Sequence, residues 1–195
     1  FIALIIRALK EYAEMRSKGF DGMVCSIAGA LAAMGDRWGL LILRDLTLGI
    51  SRYEDFRRST GITNATLSDR LKHLEASGLV TRRRYQVKPE RYEYLLTAKG
   101  TQVAALMPVL AQLGDALGVC GTAQPPLVFV NRKTGAPVRS RFVDQHTGEL
   151  LSAADVAGTA GPGADYLVRW RLSHLERNTA DTDDAAPPPT LAPGE

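Results

Sequence analysis

The feature that most constrains this 195-residue chain is the stretch 61–84, GITNATLSDRLKHLEASGLVTRRR. Leu67, Leu71 and Leu74 recur at the spacing of one helix face, and Gly78 is a natural helix stop. Three consecutive arginines follow in a segment with strand character. The stretch predicts an amphipathic helix joined directly to a short basic strand. The plainer alternative is a solvated surface helix followed by an ordinary edge strand.

The flanking segments surround that helix in an informative order. Helical spacing predicts helices at 25–35 and 36–49, and a shorter one at 51–60, where Ser51 and Glu54 form the S-x-x-E pattern of a capping box. After the leucine helix, LVTRRRYQV and RYEYLLT flank a KPE turn and predict a hairpin. Helix, helix, turn, helix, hairpin is the order of a winged helix-turn-helix domain. The predicted fold class is mainly α with a small β component.

The basic charge of the chain lies in this same region. Between Asp36 and Gly100 there are 13 Lys/Arg and 8 Asp/Glu, a surplus of five, whereas the whole chain has a net charge of +3. A basic helix beside a basic hairpin favours nucleic-acid binding, although charge runs in general more often mark a solvated face. The histidines His73, His146 and His174 lie in unrelated contexts, so the sequence has no clustered nucleophile, base and orienting group. We expect a protein that is not an enzyme and needs no cofactor.

The first 118 residues divide into three predicted segments. Residues 1–20 predict an N-terminal amphipathic helix, and 21–97 the winged helix-turn-helix domain. Residues 98–118 predict one further helix, kinked at Pro108. Its apolar surface is wide for a single small domain, which is typical of a helix that pairs with a second copy in a symmetric homodimer.

Five short pieces occur in a fixed order between residues 25 and 100: CSIAGAL, MGDRWGLLILRDL, GISRYEDFRR, GITNATLSDRLKHLEASGLV and PERYEYLLTAKG. In order, spacing and residue type they resemble the HxlR-type branch of the MarR-like winged-helix transcriptional regulators. The resemblance implies a homodimer that binds double-stranded operator DNA, usually as a repressor and sometimes as an activator, without enzymatic activity. It also implies that 64–77 is the recognition helix and 81–91 the wing.

The face of the predicted recognition helix that points away from the leucines can reach base edges in the major groove. Flanking side chains and the wing are expected at phosphates or in the minor groove. The predicted base contacts are Asn64, Ser68, Asp69 and Lys72. The predicted phosphate or minor-groove contacts are Thr66, Arg70, His73, Arg82, Arg83, Arg84, Lys88 and Arg91.

Residues 119–178 predict a small β-rich C-terminal extension with KTG and HTG turns, in which GTAGPGADYLVRWRLSHLERN fits strand or helix. Longer members of the resembling family often carry a zinc-ribbon-like segment here. This chain has Thr134, Asp144 and Thr147 where paired thiolates would be needed, and a structural zinc site takes four ligands. We therefore expect a metal-free remnant, followed by a disordered tail at 179–195.

Two kinds of effector remain open. Cys25 lies at a predicted helix start, where the helix dipole favours the thiolate, and it corresponds to a cysteine with which some members of the resembling family sense oxidants. Cys120 follows the predicted dimer helix and is the second redox candidate, although both cysteines can equally be small buried side chains. The other effector is a small aromatic or polyketide-like ligand near Met34, Trp38 and Met107, three residues that otherwise belong to the core.

Location and partner class complete the expectations. Two cysteines are too few for a disulfide scaffold and fit a reducing cytoplasm. No apolar run reaches the roughly 20 residues of a membrane span, and the opening FIALIIRALKEYAE lacks the features of a signal peptide. The remaining alternative is a protein-interaction adaptor, which predicts weak DNA affinity that does not depend on Lys72 or Arg83.

Overall fold

The computed structural model describes residues 19–20 and 22–183 of the chain. The predicted N-terminal helix at 1–20 therefore lies outside the described residues, except for positions 19 and 20, which are not helical. The described helices and strands, in chain order, are α1 (Ser26–Met34), α2 (Arg37–Thr47), α3 (Tyr53–Thr60), α4 (Asn64–Ala76), β1 (Val80–Gln86), β2 (Arg91–Leu96), α5 (Ala98–Ala104), α6 (Leu106–Ala116), β3 (Phe142–Val143), β4 (Leu150–Leu151) and α7 (Tyr166–Asp183).

Short polar side chains cap the starts of α2 and α4. The Asp36 carboxylate accepts hydrogen bonds from the N–H groups of Trp38 and Gly39, at 3.0 and 3.2 Å, and so caps α2. Thr63 caps α4 by accepting from the Thr66 N–H at 3.3 Å. The predicted capping box at Ser51 is wrong, because α3 begins later and its N-cap residue makes no side-chain hydrogen bond.

The capping box does not form because the backbone of residues 51 and 52 pairs with β2 as a short third strand beside the hairpin. The Ser51 carbonyl accepts the Tyr94 N–H at 2.7 Å, and Arg52 forms an antiparallel bridge with Glu93. The backbone before α3 is thus extended against β2, which itself pairs antiparallel with β1. The sheet order is therefore Arg52, β2, β1, and this is the wing sheet of a winged helix.

The core lies around α2, which packs against α3, α4, α5 and β2. Ile42 and Leu43 of α2 and Phe56 of α3 are fully buried, as are the three predicted leucines of α4. The Phe56 ring also meets Tyr94 of β2 edge-on, with centroids 6.2 Å apart. The predicted mainly α fold with one small wing is confirmed, and the leucine face of α4 is its buried face.

The hairpin is connected tightly to α5. The Thr97 N–H donates to the Leu79 carbonyl at 3.0 Å, and the Thr97 hydroxyl donates to the Gly78 carbonyl at 2.7 Å. Helix α5 then passes so close that a Cβ at Gly100 would lie 1.9 Å from the Leu79 carbonyl oxygen. Only glycine fits at that position.

The predicted single helix at 98–118 is two helices. It breaks at Ala105, three residues before Pro108, because a proline ring clashes with the carbonyl four residues earlier and removes that hydrogen bond. Helix α6 and its C-cap residue leave four large apolar side chains exposed on one side, Val109, Leu110, Leu113 and Leu117.

The C-terminal extension contacts α6 on a different side. The Gln112 side-chain amide donates to the Val138 carbonyl at 3.2 Å, and its oxygen accepts the Ser140 N–H at 3.0 Å. The KTG and HTG turns are closed by Asn131 and Asp144, whose side-chain oxygens accept backbone N–H groups at 2.7–2.9 Å in the shortest bonds. These hydrogen bonds organise both turns through side chains and backbone alone.

The segment that fitted strand or helix is helical from Tyr166 onward, since α7 runs from Tyr166 to Asp183. The predicted disordered tail is wrong at its start, because the helix continues past residue 179, and residues 184–195 lie outside the described part. Within that part no single helix is long and apolar enough to cross a membrane; α1 and α2 meet the length and composition only together, and they are bent by 76°.

Candidate nucleic-acid interface

Helix α4 presents three different sides. The leucines face the core, and Ala65, Asp69 and Lys72 lie roughly opposite them at 100° per residue. Asp69 and Lys72 are exposed, and no described residue forms an ion pair with Lys72. This outward side is therefore open to a ligand along its length, and it carries two of the four predicted base contacts.

The side of α4 that faces α3 carries the other two, Asn64 and Ser68. The Tyr53 hydroxyl donates to the Asn64 carbonyl at 2.9 Å and shares a second hydrogen bond of 2.9 Å with the Ser68 hydroxyl. Because the single tyrosine proton goes to Asn64, Ser68 is the donor in that second bond. Its oxygen remains able to accept a hydrogen bond. The sequence alone does not indicate this role of Tyr53, because Asn64 and Ser68 are 11 and 15 residues away.

The opposite flank of α4 carries Arg70 and His73, and the structure turns both toward the protein. Arg70 forms an ion pair with Asp36 at 3.0 Å and another with Asp69. The His73 Nε2 lies 2.8 Å from the Ala32 carbonyl oxygen, so that nitrogen must carry the proton. The predicted phosphate contacts of Arg70 and His73 stay predictions, and a phosphate would have to compete with these internal acceptors for their donors. Thr66, on the same flank, shares a hydrogen bond with the Thr63 hydroxyl.

The Arg70–Asp36 pair affects the titration of both groups. Burial opposes ionisation of Asp36, but the hydrogen bonds from Arg70 and from the N–H groups of Gly39 and Trp38 outweigh it and lower the pKa of Asp36. The hydrogen bond to Asp36 in turn raises the pKa of Arg70. The pair is charged at neutral pH and secures the α4 flank to the start of α2.

The three wing arginines each have a carboxylate partner. Arg83 donates to the Glu93 carboxylate through two nitrogens, at 2.7 and 2.8 Å, and that glutamate side chain is only 17% exposed. Arg84 pairs with Glu90 at 3.2 Å, while Arg82 lies 3.8 Å from Glu75. A phosphate must therefore compete with these glutamates for the arginine donors.

Glu90 is held on a second side by an aromatic hydroxyl. The Tyr92 hydroxyl donates to it at 2.7 Å, and this bond, together with Arg84, lowers the pKa of Glu90. Arg82 stacks over the same Tyr92 ring, 4.9 Å from its centroid. Arg82, Arg84, Glu90 and Tyr92 therefore form a connected network of cations, a carboxylate and an aromatic ring on the wing.

Two cations at the end of the wing differ from the arginine triplet. Lys88 and Arg91 are exposed, and within the described ranges no ion pair involves either of them. Lys88 lies in the turn, and Arg91 opens β2 opposite Gln86. They are the wing cations that are most available to a phosphate.

One basic residue near the wing was missed from the sequence. Arg52 is exposed and lies over the Tyr85 ring of β1, 4.7 Å from its centroid, beside the wing sheet. A lone arginine before a predicted helix carries no local signal. Only the pairing of Arg52 with Glu93 brings it to the sheet.

The two cysteines are both free thiols in different surroundings. Cys25 is the N-cap residue of α1, its sulfur accepts the Ala28 N–H at 3.5 Å, and the residue is half-buried. It borders an open cleft of about 460 Å³ whose other wall is formed by residues 161–172. Cys120 is exposed after α6 and accepts a hydrogen bond from the Thr122 hydroxyl.

The predicted ligand-pocket residues are not brought into one cavity. Met34 and Met107 are buried in the core, and Trp38 packs against it. An open cleft of about 460 Å³ between α1 and α5 includes Met34 but neither of the other two. Among the described residues no group of three or more His, Cys, Asp or Glu is placed to hold a metal ion.

The comparisons with known proteins agree with this architecture. Residues 33–119 match the family described as HxlR-like helix-turn-helix. An uncharacterised HTH-type transcriptional regulator of Mycobacterium tuberculosis is 38% identical over 147 residues, which cover 75% of this chain and 91% of that protein. Both the family and this relative are described by a DNA-binding motif.

Two solved structures extend the likeness. The candidate transcription factor PA1607 superposes with a TM-score of 0.64 at 27% identity, covering 73% of this chain and 99% of that protein. The candidate transcription factor PA1374 of Pseudomonas aeruginosa gives a TM-score of 0.53 at 33% identity, covering 76% and 100%. In both cases nearly the whole neighbour is matched, so the likeness includes more than the helix-turn-helix segment.

Proposed function

Because this chain belongs to the HxlR-like helix-turn-helix family of transcriptional regulators, we propose that it represses transcription as a homodimer on operator DNA in the cytoplasm. Helix α4 enters the major groove, and the β1–β2 wing contacts the adjacent backbone or minor groove. The observation that carries the proposal is the open outward side of α4, with Asp69 and Lys72, next to a wing whose end presents Lys88 and Arg91. Such a protein needs no catalytic group and no cofactor.

The contacts fall into two groups with different roles. The residues that read base edges are Asn64, Ser68, Asp69 and Lys72. Their position on the outward side of α4 or on its α3 flank supports this role. Lys88 and Arg91 bind phosphates directly. Arg82, Arg83 and Arg84 bind them by exchanging a glutamate partner for the DNA backbone.

The homodimer is supported by the exposed apolar side of α6. Val109, Leu110, Leu113 and Leu117 lie within one helical face, while the side that carries Gln112 is occupied by the extension. A contiguous exposed apolar face of this kind marks an interaction surface. Pairing of α6 with its copy places two α4 helices in one molecule, as a two-fold symmetric operator requires.

The proposal is tested by fluorescence anisotropy with the full chain and DNA from the region upstream of its own gene. Tight binding that prefers this DNA over a scrambled duplex of equal length, with occupancy by two chains per site, is the expected result. Binding that is weak and shows no preference would overturn operator recognition and support the adaptor alternative. Transcription in vitro from the same promoter then separates repression from activation.

Oxidation of Cys25 is proposed as the signal that releases the DNA. The supporting observation is its position as N-cap of α1, where helix N–H groups stabilise a thiolate, with part of the residue exposed beside a cleft. Cys25→Ser should abolish oxidant-induced release, whereas Cys120→Ser tests whether the second thiol is required. Release that persists in Cys25→Ser would remove this residue from signalling.

A small aromatic or polyketide-like ligand is the second candidate effector. The cleft beside Met34 supports it, since it lies between α1 of the DNA-binding domain and α5, which leads into the proposed dimer helix. A ligand there would act by favouring a dimer whose α4 helices no longer fit adjacent major grooves. Loss of operator binding on titration of an aromatic compound, with Met34→Ala insensitive to it, is the expected result.

A further inference from the structure

The two flanks of the recognition helix are fastened to different parts of the domain. On one flank Tyr53 of α3 holds Asn64 and Ser68. On the other, Arg70 and His73 reach the junction between α1 and α2. Residues three apart lie on the same side of a helix, so the latter two act at one place.

Both contacts of the second flank end within a few residues of each other. His73 donates to the carbonyl of Ala32 near the end of α1, and Arg70 binds Asp36, the N-cap of α2. The His73 ring also lies directly over the glycine that joins the two helices, because a Cβ at Gly35 would stand 3.2 Å from its Cδ2. The junction is therefore shaped to receive these two side chains.

The Arg70 side chain is poorly placed for DNA. It is only 29% exposed, and its Nε is buried without a partner among the described residues. Its remaining nitrogens bind Asp36 and Asp69. A guanidinium that is drawn toward the protein by one carboxylate and shielded by another has few donors left for a phosphate.

The buried leucines restrict the rotation of α4 about its axis less sharply than directional contacts do. Apolar contacts are not directional, whereas hydrogen bonds weaken steeply away from their preferred geometry. A helix with its side chains has a radius of about 5–6 Å, so a rotation of about 20° moves a side-chain tip by about 2 Å. That displacement exceeds the tolerance of a hydrogen bond to a base edge.

We propose that Arg70 and His73 are positioning residues for base recognition: through Asp36 and Ala32 they set the rotation of α4, and they do not bind DNA themselves. The inference rests on the proposed operator binding of α4. It assigns specificity to residues on the protein-facing flank of the helix. Lys72 and Asp69 read the sequence correctly only while this flank is held.

The decisive variant is Asp36→Ser, which keeps a side-chain oxygen to cap α2 but removes the carboxylate that binds Arg70. Asp36→Ser and Arg70→Gln should each lower operator affinity about tenfold, the effect of weakening a base contact. The double variant should lose no more than either single one, since both remove the same interaction. Affinity for scrambled DNA and the salt dependence of binding should stay unchanged in all three.

A direct DNA contact of Arg70 predicts the opposite pattern and would overturn the inference. Asp36→Ser would then release Arg70 and leave operator affinity unchanged or raised. Arg70→Gln would weaken operator and scrambled DNA alike and reduce the salt slope by about 0.9 per protomer. Loss of folded protein would also reduce both affinities together, so the ratio of operator to scrambled binding separates positioning from instability.

His73 is tested by a matched pair of variants. His73→Gln keeps an N–H donor for the Ala32 carbonyl and should retain the operator preference, whereas His73→Leu should lose it about tenfold. Equal behaviour of the two variants would overturn the role of the hydrogen bond. A wild-type protein without operator preference would overturn the proposed function itself, and a preference that all variants retain would overturn this inference alone.

Discussion

The available cation at the end of the wing gives the sharpest quantitative prediction. Arg91 is exposed and has no described ion-pair partner, so a phosphate can bind it without displacing a carboxylate. Each lost phosphate contact reduces the slope of log K against log salt by about 0.9, and a homodimer carries the change twice. Arg91→Ala should therefore reduce the slope by about 1.8, and at about 0.15 M salt weaken binding by about 1 kcal/mol per protomer.

Arg83→Ala should change the slope by less. Glu93 accepts two of its hydrogen bonds and already neutralises its charge, so fewer counterions are displaced when the pair meets DNA.

The assay for both variants is fluorescence anisotropy over a range of salt concentrations, on the operator and on a scrambled duplex. Lys133→Ala, which removes an exposed cation of the extension, is the control and should leave the slope unchanged. Both DNAs should respond alike, because phosphate contacts carry no sequence information. An unchanged slope for Arg91→Ala would place this residue outside the interface. A larger change in slope for Arg83→Ala than for Arg91→Ala would refute the argument that pairing with Glu93 reduces the number of counterions that Arg83 displaces.

Three further variants test base recognition, assembly and folding. Lys72→Ala should weaken operator binding by about 1–3 kcal/mol and relax the preference at one base position, and an equal loss on every duplex would remove Lys72 from base recognition. Leu113→Glu places a charge in the exposed apolar face of α6 and should shift the protein to a monomer in sedimentation equilibrium; an unchanged dimer would exclude this face. Gly100→Ala should lower the free energy of unfolding by about 3 kcal/mol, because its Cβ meets the Leu79 carbonyl, and an unaltered urea midpoint would contradict that close approach.

The parts of the fold that follow local rules were predictable. The leucine spacing of α4 and its stop at Gly78 depend on residues within or next to one helix, and both agree with the structure. The order of helices and hairpin predicted the fold class, which the structure confirms. The resemblance of five ordered pieces supplied the family, and the comparisons confirm it.

The errors have three different causes, of which one is competition from a distant residue. Ser51 has the pattern of a capping box, but its backbone is used by the wing sheet through Tyr94. The break at Ala105 precedes Pro108 because a proline acts on the turn before it. The extension ends in α7, and the sequence of this helix fits the periodicity of a strand as well as that of a helix.

In the candidate interface, too, some features could be derived from the sequence and others could not. The outward position of Lys72 follows from the helical period once the leucines are inside, so it could be derived from the sequence alone. The inward direction of Arg70 and His73 could not, because a flank residue faces solvent or protein according to what packs beside it. Their partners, Asp36 and Ala32, lie 34 and 41 residues away.

The sequence by itself therefore determined which residues form α4, which of its sides is buried and where the basic charge is concentrated, since these depend on periodicity and composition. The tertiary structure alone decided which of those charges remain available to DNA. Electrostatic and hydrogen-bonding partners are set by distances of a few ångströms between segments that are remote in the chain. Glu93 beside Arg83 and Asp36 beside Arg70 are such partners, and they leave these two arginines less available to a phosphate than Lys88 and Arg91, which have no ion-pair partner among the described residues.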